Sequence, residues 1–153
     1  MPLFVASDGR AGKSDDYKEF RFVDTEQSNL ITLLNSSLFY WFWHCNSDGF
    51  HCGYGDVNIL PYRQVSDAKN RAKLRDLEMR LMKELRGSAA ERTISTKAGT
   101  VRYQEFSPKA AKPIIDEIDR VFAEHYGFTD EELDFIINYD IKYRMGRSGA
   151  EEE

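Results

Sequence analysis

The chain has 153 residues, enough for one domain or two small lobes, and a hydrophobic share of 41% leaves room for only a modest core. A net charge of −5 argues against nonspecific nucleic-acid binding by the surface as a whole, although a local basic face can still meet phosphate. Two cysteines, Cys45 and Cys52, make no disulfide framework; the start lacks a basic lead and a long apolar run; and the run Leu38–Trp43 is far short of the roughly 20 residues that span a bilayer. These features predict a cytoplasmic protein with reduced thiols and no membrane partner.

Residues 1–16, rich in Ser, Asp, Gly, Lys and Arg from Ala6 onward, read as a flexible lead-in. Tyr17 to Val23 alternates in character and predicts a short strand. Asp24, with Gln27 three residues on, suggests a capping box and a helix from about Thr25 to Cys45. Its apolar positions are Leu30, Leu33, Leu34, Leu38 and Trp41, and the small Ser36 and Ser37 allow close helix approach. Five consecutive rings, Phe39-Tyr40-Trp41-Phe42-Trp43, would point in every direction from a helix, so it must be covered on several sides. Asn46-Ser47-Asp48-Gly49 is a turn cluster that stops it.

Residues 50–62 read as loop and short strand, ended by Pro61. A helix from about Ser66 to Arg86 carries a stripe of Leu74, Leu77, Leu81, Met82 and Leu85, with Gly87 as its stop. The small, polar residues 87–99 read as a linker or mobile loop, and Val101–Phe106 as a strand. Pro113 suits the first turn of a helix to about Tyr126, burying Ile114, Ile118, Val121 and Phe122, with Gly127 and Phe128 as its C-terminal cap. Thr129-x-x-Glu132 opens a last helix that buries Leu133, Ile136 and Ile137, and the tail over 147–153 is expected to be disordered. The expected fold is α+β and predominantly α-helical, with about four helices and two or three short strands.

Charge is polarised along the chain. Between Ala68 and Arg86 seven basic residues outweigh three acidic ones, a net of +4. Between Asp116 and Asp140 nine acids face only Arg120, a net of −8. The basic helix either meets phosphate or is a solvated face with i,i+4 pairs such as Asp76–Arg80.

Motifs for chemistry are largely absent. His44-Cys45 and His51-Cys52 supply four zinc-type donors, but each pair is adjacent, so on a helix its side chains diverge by about 100°. Gly53-Tyr54-Gly55 lacks the third glycine of a nucleotide fingerprint. Asn58-Ile59-Leu60-Pro61-Tyr62 is one residue too long, and one proline short, for the Asn-Pro-Pro-aromatic loop of amino-group DNA methyltransferases. Asp116, Glu117 and Asp119 are expected on the solvated side of a helix.

Three stretches carry a resemblance. They are Leu34-Asn35-Ser36-Ser37-Leu38-Phe39-Tyr40-Trp41-Phe42-Trp43 with Ser47-Asp48-Gly49; Lys112-Pro113-Ile114-Ile115-Asp116-Glu117-Ile118-Asp119; and Tyr126-Gly127-Phe128 through Glu132-Leu133-Asp134-Phe135-Ile136-Ile137-Asn138-Tyr139-Asp140-Ile141-Lys142-Tyr143-Arg144-Met145. Together they resemble the extreme C-terminal region of bacterial restriction-modification adenine-specific DNA methyltransferases, often fused to a nuclease, over about residues 17–146. The resemblance implies a target-recognition end, with residues 17–86 recognition-like and 100–146 a C-terminal helical part. Catalysis and S-adenosylmethionine would belong to a methyltransferase domain upstream, and no cofactor to this chain.

Two readings follow. In the first, Arg63, Lys69, Arg71, Lys73 and Arg75 contact phosphate or guanine edges of double-stranded DNA, while Ser47, Asp48, Gly49, Phe50 and His51 form a loop near the groove. Most of the five rings are then core, and Tyr40 or Trp43 stacks on a base. In the second, the acidic helices brace a catalytic or nuclease part without touching DNA, and an exposed apolar patch marks the docking face.

Overall fold

The computed structural model describes residues 3–12, 18–97 and 99–144. Its helices, in chain order, are α1 (Gln27–Leu34), α2 (Ser37–Asn46), α3 (Tyr54–Asn58), α4 (Ala68–Gly87), α5 (Lys112–Tyr126), α6 (Asp130–Asn138) and α7 (Ile141–Arg144). Its strands are β1 (Phe4–Val5), β2 (Ala90–Thr96) and β3 (Gly99–Glu105), in one antiparallel sheet of order β1-β3-β2. The architecture is α+β and mainly helical, but the expected count of about four helices is wrong: seven are present among the described residues.

The largest departure lies at the ring-rich helix expected over 25–45, which is two helices. Asn35 ends α1, its side-chain amide donating to the Ile31 carbonyl at 2.8 Å. Ser36 then takes an extended backbone, and its Oγ accepts from the Phe39 N–H at 3.0 Å while donating to the Leu33 carbonyl at 2.6 Å. Short polar side chains that bond to nearby backbone compete with helix continuation, and here that competition wins. The true N-cap of α1 is Glu26, without a side-chain cap, so the expected Asp24–Gln27 box does not form.

The strand expected from Tyr17 is absent over 18–23. Phe20 stacks on Phe22 with centroids 6.1 Å apart, and the Glu19 backbone pairs with the Tyr54 hydroxyl instead of with a strand. Conversely, β2 occupies most of the expected linker at 87–99, and β1 lies within the expected lead-in. β2 pairs with β3 from Ala90↔Glu105 to Thr96↔Gly99. Gly99 has φ +126 and packs against Ser7, so glycine is required on both grounds. The 147–153 tail lies outside the described residues.

The core is made by helices and the loop before α4. Leu33, Leu38, Val65, Leu74, Leu77, Leu81, Ile115, Ile118, Val121, Phe122 and Ile136 are buried together, and no strand residue joins them. The α4 stripe is as expected through Leu74, Leu77 and Leu81, with Met82 and Leu85 packed at its margin. Gly127 takes the left-handed conformation (φ 78, ψ 36) as the α5 cap. The Thr129–Glu132 capping box forms with both reciprocal bonds. In α6 only Ile136 is fully buried, Leu133 and Ile137 being half-buried.

Candidate nucleic-acid interface

The basic residues of α4 do not share one face. Taking 100° per residue from the buried Leu74–Leu77–Leu81 stripe, Arg71 and Arg75 lie on one flank and Lys69 and Lys73 on the other. Arg71 and Arg75 line a groove of about 280 Å³ with Thr25, Ser28, Asn29, Ala68 and Ala72, where α4 meets α1. Neither guanidinium makes a hydrogen bond or ion pair among the described residues. Opposite them the groove's polar groups are ordered. Asn29, 1% exposed, donates to Glu26 at 3.2 Å, and Ser28 donates to Glu78 at 2.6 Å. Glu26 also accepts from the Tyr62 hydroxyl and from Gln64 at 2.8 Å. That Tyr62 bond chiefly holds the Glu26 carboxyl below its ordinary pKa, with Arg71 also contributing.

The far flank of α4 is partly neutralised. Arg80 forks onto Glu117 of α5 at 2.8 and 3.1 Å, and Lys73 adds to the field that lowers the Glu117 carboxyl. Arg63 stands apart, its guanidinium 5.8 Å from the centroid of Tyr126.

The loop after α2 is ordered by Asp48, whose Oδ1 accepts from Phe50 N at 2.9 Å and His51 N at 3.4 Å. Gly49 sits at φ +70, and Ser47 Oγ accepts its N–H at 3.1 Å. This turn pushes Phe50 out to 80% exposure, its ring edge-on to His51 at 4.8 Å. Lys18, Phe50, His51, Cys52 and Gly53 line a second, open groove of about 570 Å³. It shares no lining residue with the arginine groove, so the loop and the α4 arginines form two patches.

The ring run sorts by helical angle. Phe39 is buried, Trp41 packs on the core, and Tyr40 and Trp43 belong to a cluster with His44 and Tyr139. Tyr40 lies flat on His44 at 5.8 Å and under the Arg144 guanidinium at 4.7 Å, and His44 Nδ1 is 2.7 Å from the Tyr139 hydroxyl. Tyr40 is half-buried, with His44 and Arg144 both packed on its ring. The Trp43 Nε1 is buried and has no hydrogen-bond partner among the described residues.

The residue missed in the sequence is Asp119. It is 2% exposed rather than solvated. Its Oδ1 accepts from Ser37 N at 2.9 Å and Leu38 N at 3.3 Å, capping α2 from α5. Arg144 of α7 completes the centre, donating to Ser37 Oγ at 2.8 Å and to the Tyr139 carbonyl at 3.4 Å. Burial raises the Asp119 carboxyl above its usual range, and its Oδ2 has no hydrogen-bond partner among the described residues. Burial also lowers the Arg144 guanidinium. The three stretches that carry the resemblance thus meet at one polar centre, through Ser36-Ser37, Asp119 and Arg144. The only sequence signal for it was the pair of serines, read as small packing residues when they are a helix break.

Among the described residues no three His, Cys, Asp or Glu side chains converge as metal ligands would, and both cysteines are free. No described helix is long and apolar enough to cross a membrane. No family model, curated protein or solved structure matches this chain.

Proposed function

We propose that this chain is the non-catalytic DNA-recognition region of a bacterial adenine-specific DNA methyltransferase of a type II restriction-modification system, acting in the cytoplasm on double-stranded DNA. Methyl transfer and S-adenosylmethionine belong to an upstream catalytic domain in this reading. The observation that carries DNA contact is the groove with Arg71 and Arg75, two guanidiniums without a hydrogen bond or ion pair among the described residues. An i,i+4 spacing roots them roughly 5–6 Å apart, so both can reach phosphates of one strand. Thr25, exposed at the groove's edge, supplies a hydroxyl of the kind that contacts phosphate and sugar. Phe50, thrust into solvent beside His51, offers a stacking ring.

The test is duplex binding by fluorescence anisotropy across a salt series. Arg71→Ala with Arg75→Ala is expected to weaken binding and to flatten the salt slope by about one for each phosphate no longer neutralised. Lys69→Ala with Lys73→Ala, on the other flank, changes the slope less. If the arginine double variant binds as tightly as the unmodified chain at every salt concentration, the proposal fails.

A further inference from the structure

The geometry points to a protein-docking seat on the side of α6, one that takes a basic amphipathic helix of another polypeptide. The seat is a groove of about 340 Å³ lined by Trp41, Phe128, Glu131, Glu132, Phe135 and Ile136. Its floor is almost wholly apolar. Phe135 is 56% exposed, a large ring left half in water by a nine-residue helix that fully buries only Ile136. Trp41 leans on the core from below and presents its remaining surface to the groove. A concave apolar surface with a polar rim is the form that receives an amphipathic helix through anchors at i, i+3 or i+4, and i+7.

The rim decides the sign of the occupant. The first turn of α6 is Asp130, Glu131 and Glu132, and Asp134 follows one turn on. Glu132 is committed in part to the Thr129 N–H, but Asp130 and Glu131 make no ion pair among the described residues. Phosphate and anionic lipid are repelled here, whereas Lys or Arg on the polar edge of a docked helix gains from the field. A second copy of this chain cannot supply that helix from its own basic α4, because the apolar stripe Leu74, Leu77 and Leu81 is buried in its own core. The seat stands independently of the arginine groove, so either can fail alone.

The probe is a helical peptide of about 18 residues, Leu and Phe along one face and Lys elsewhere, long enough to hold some helix on its own. A charge-reversed peptide, Glu for every Lys, is the control. Binding to the whole chain is followed by tryptophan fluorescence and by backbone amide NMR shifts. The basic peptide is expected to bind, shifting residues 128–137. Phe135→Ala is expected to weaken it by about tenfold or more, and Glu131→Gln by less. Both side chains are exposed, so the variants fold normally, and unchanged thermal unfolding checks this. Equal binding of the reversed peptide, absence of binding, or shifts confined to α4 and α1 each overturn the inference. So does a concentration-dependent dimer abolished by Phe135→Ala, which would give the groove to a second copy.

Discussion

Replacing Asp119 by Ala tests how the helical lobe is joined. The carboxylate takes the first two N–H groups of α2 at 2.9 and 3.3 Å, inside a site 2% exposed. Orphaning a buried donor costs about 1–3 kcal/mol, and two are orphaned. Relief of the charge's own desolvation returns part of this, since burial raises the Asp119 pKa. The expected net loss is about 2–4 kcal/mol, which in a chain of this size lowers Tm by about 4–16 °C. Urea unfolding of Asp119→Ala and Asp119→Asn separates the acceptor from the charge, because Asn keeps a carbonyl oxygen. The pH dependence has a definite sign. A carboxyl whose folded pKa is raised binds its proton more tightly when folded, so its contribution is greatest in acid. That contribution is lost as pH climbs from the ordinary carboxylate range through the folded pKa. The wild type should therefore gain on Asp119→Asn as pH falls from neutral. If Asp119→Ala stays within about 0.5 kcal/mol of wild type, as an ordinary surface substitution does, the polar centre is not what joins these helices.

Three further outcomes follow from the same reasoning. Ser36→Ala removes both the α2 cap and the bond to Leu33, and should cost about 1–2 kcal/mol in chemical denaturation. Gly127→Ala forces a Cβ into φ 78 and should cost about 1–2 kcal/mol in the same assay, although nothing crowds the site. Tyr62→Phe removes the bond that chiefly lowers the Glu26 pKa. A lowered carboxyl stabilises above its unfolded pKa and loses this as pH falls through the folded value. The wild-type advantage over Tyr62→Phe, read from melts across pH, should thus vanish in acid; an advantage that persists there contradicts the assignment.

Much of the helical lobe was legible because its signals are local. The α4 stripe, the Pro113 start, the Gly127 stop and the Thr129–Glu132 box each lie within one or two turns of the residues they organise. The break at Asn35-Ser36 was equally local, and was obscured by the apolar spacing that continues across it from Leu33 to Leu38. The candidate site was legible in part: the basic residues of α4 were identified, but a helix carries residues 69, 71, 73 and 75 to two flanks, and composition does not record flank.

By itself, then, the chain settled where α4, α5 and α6 lie, that a basic and an acidic segment follow one another, and that its rings cannot share one face. Tertiary structure alone decided the pairing of β1 with β3, about a hundred residues away, at Phe4↔Tyr103. It likewise turned Asp119 from a solvated acid into the cap of α2, and packed Arg144 onto the Tyr40 ring. The physical reason is the same in each case. Backbone groups and charges seek partners wherever the fold brings them, and a partner some 80 to 100 residues distant leaves no periodicity in the chain that finds it.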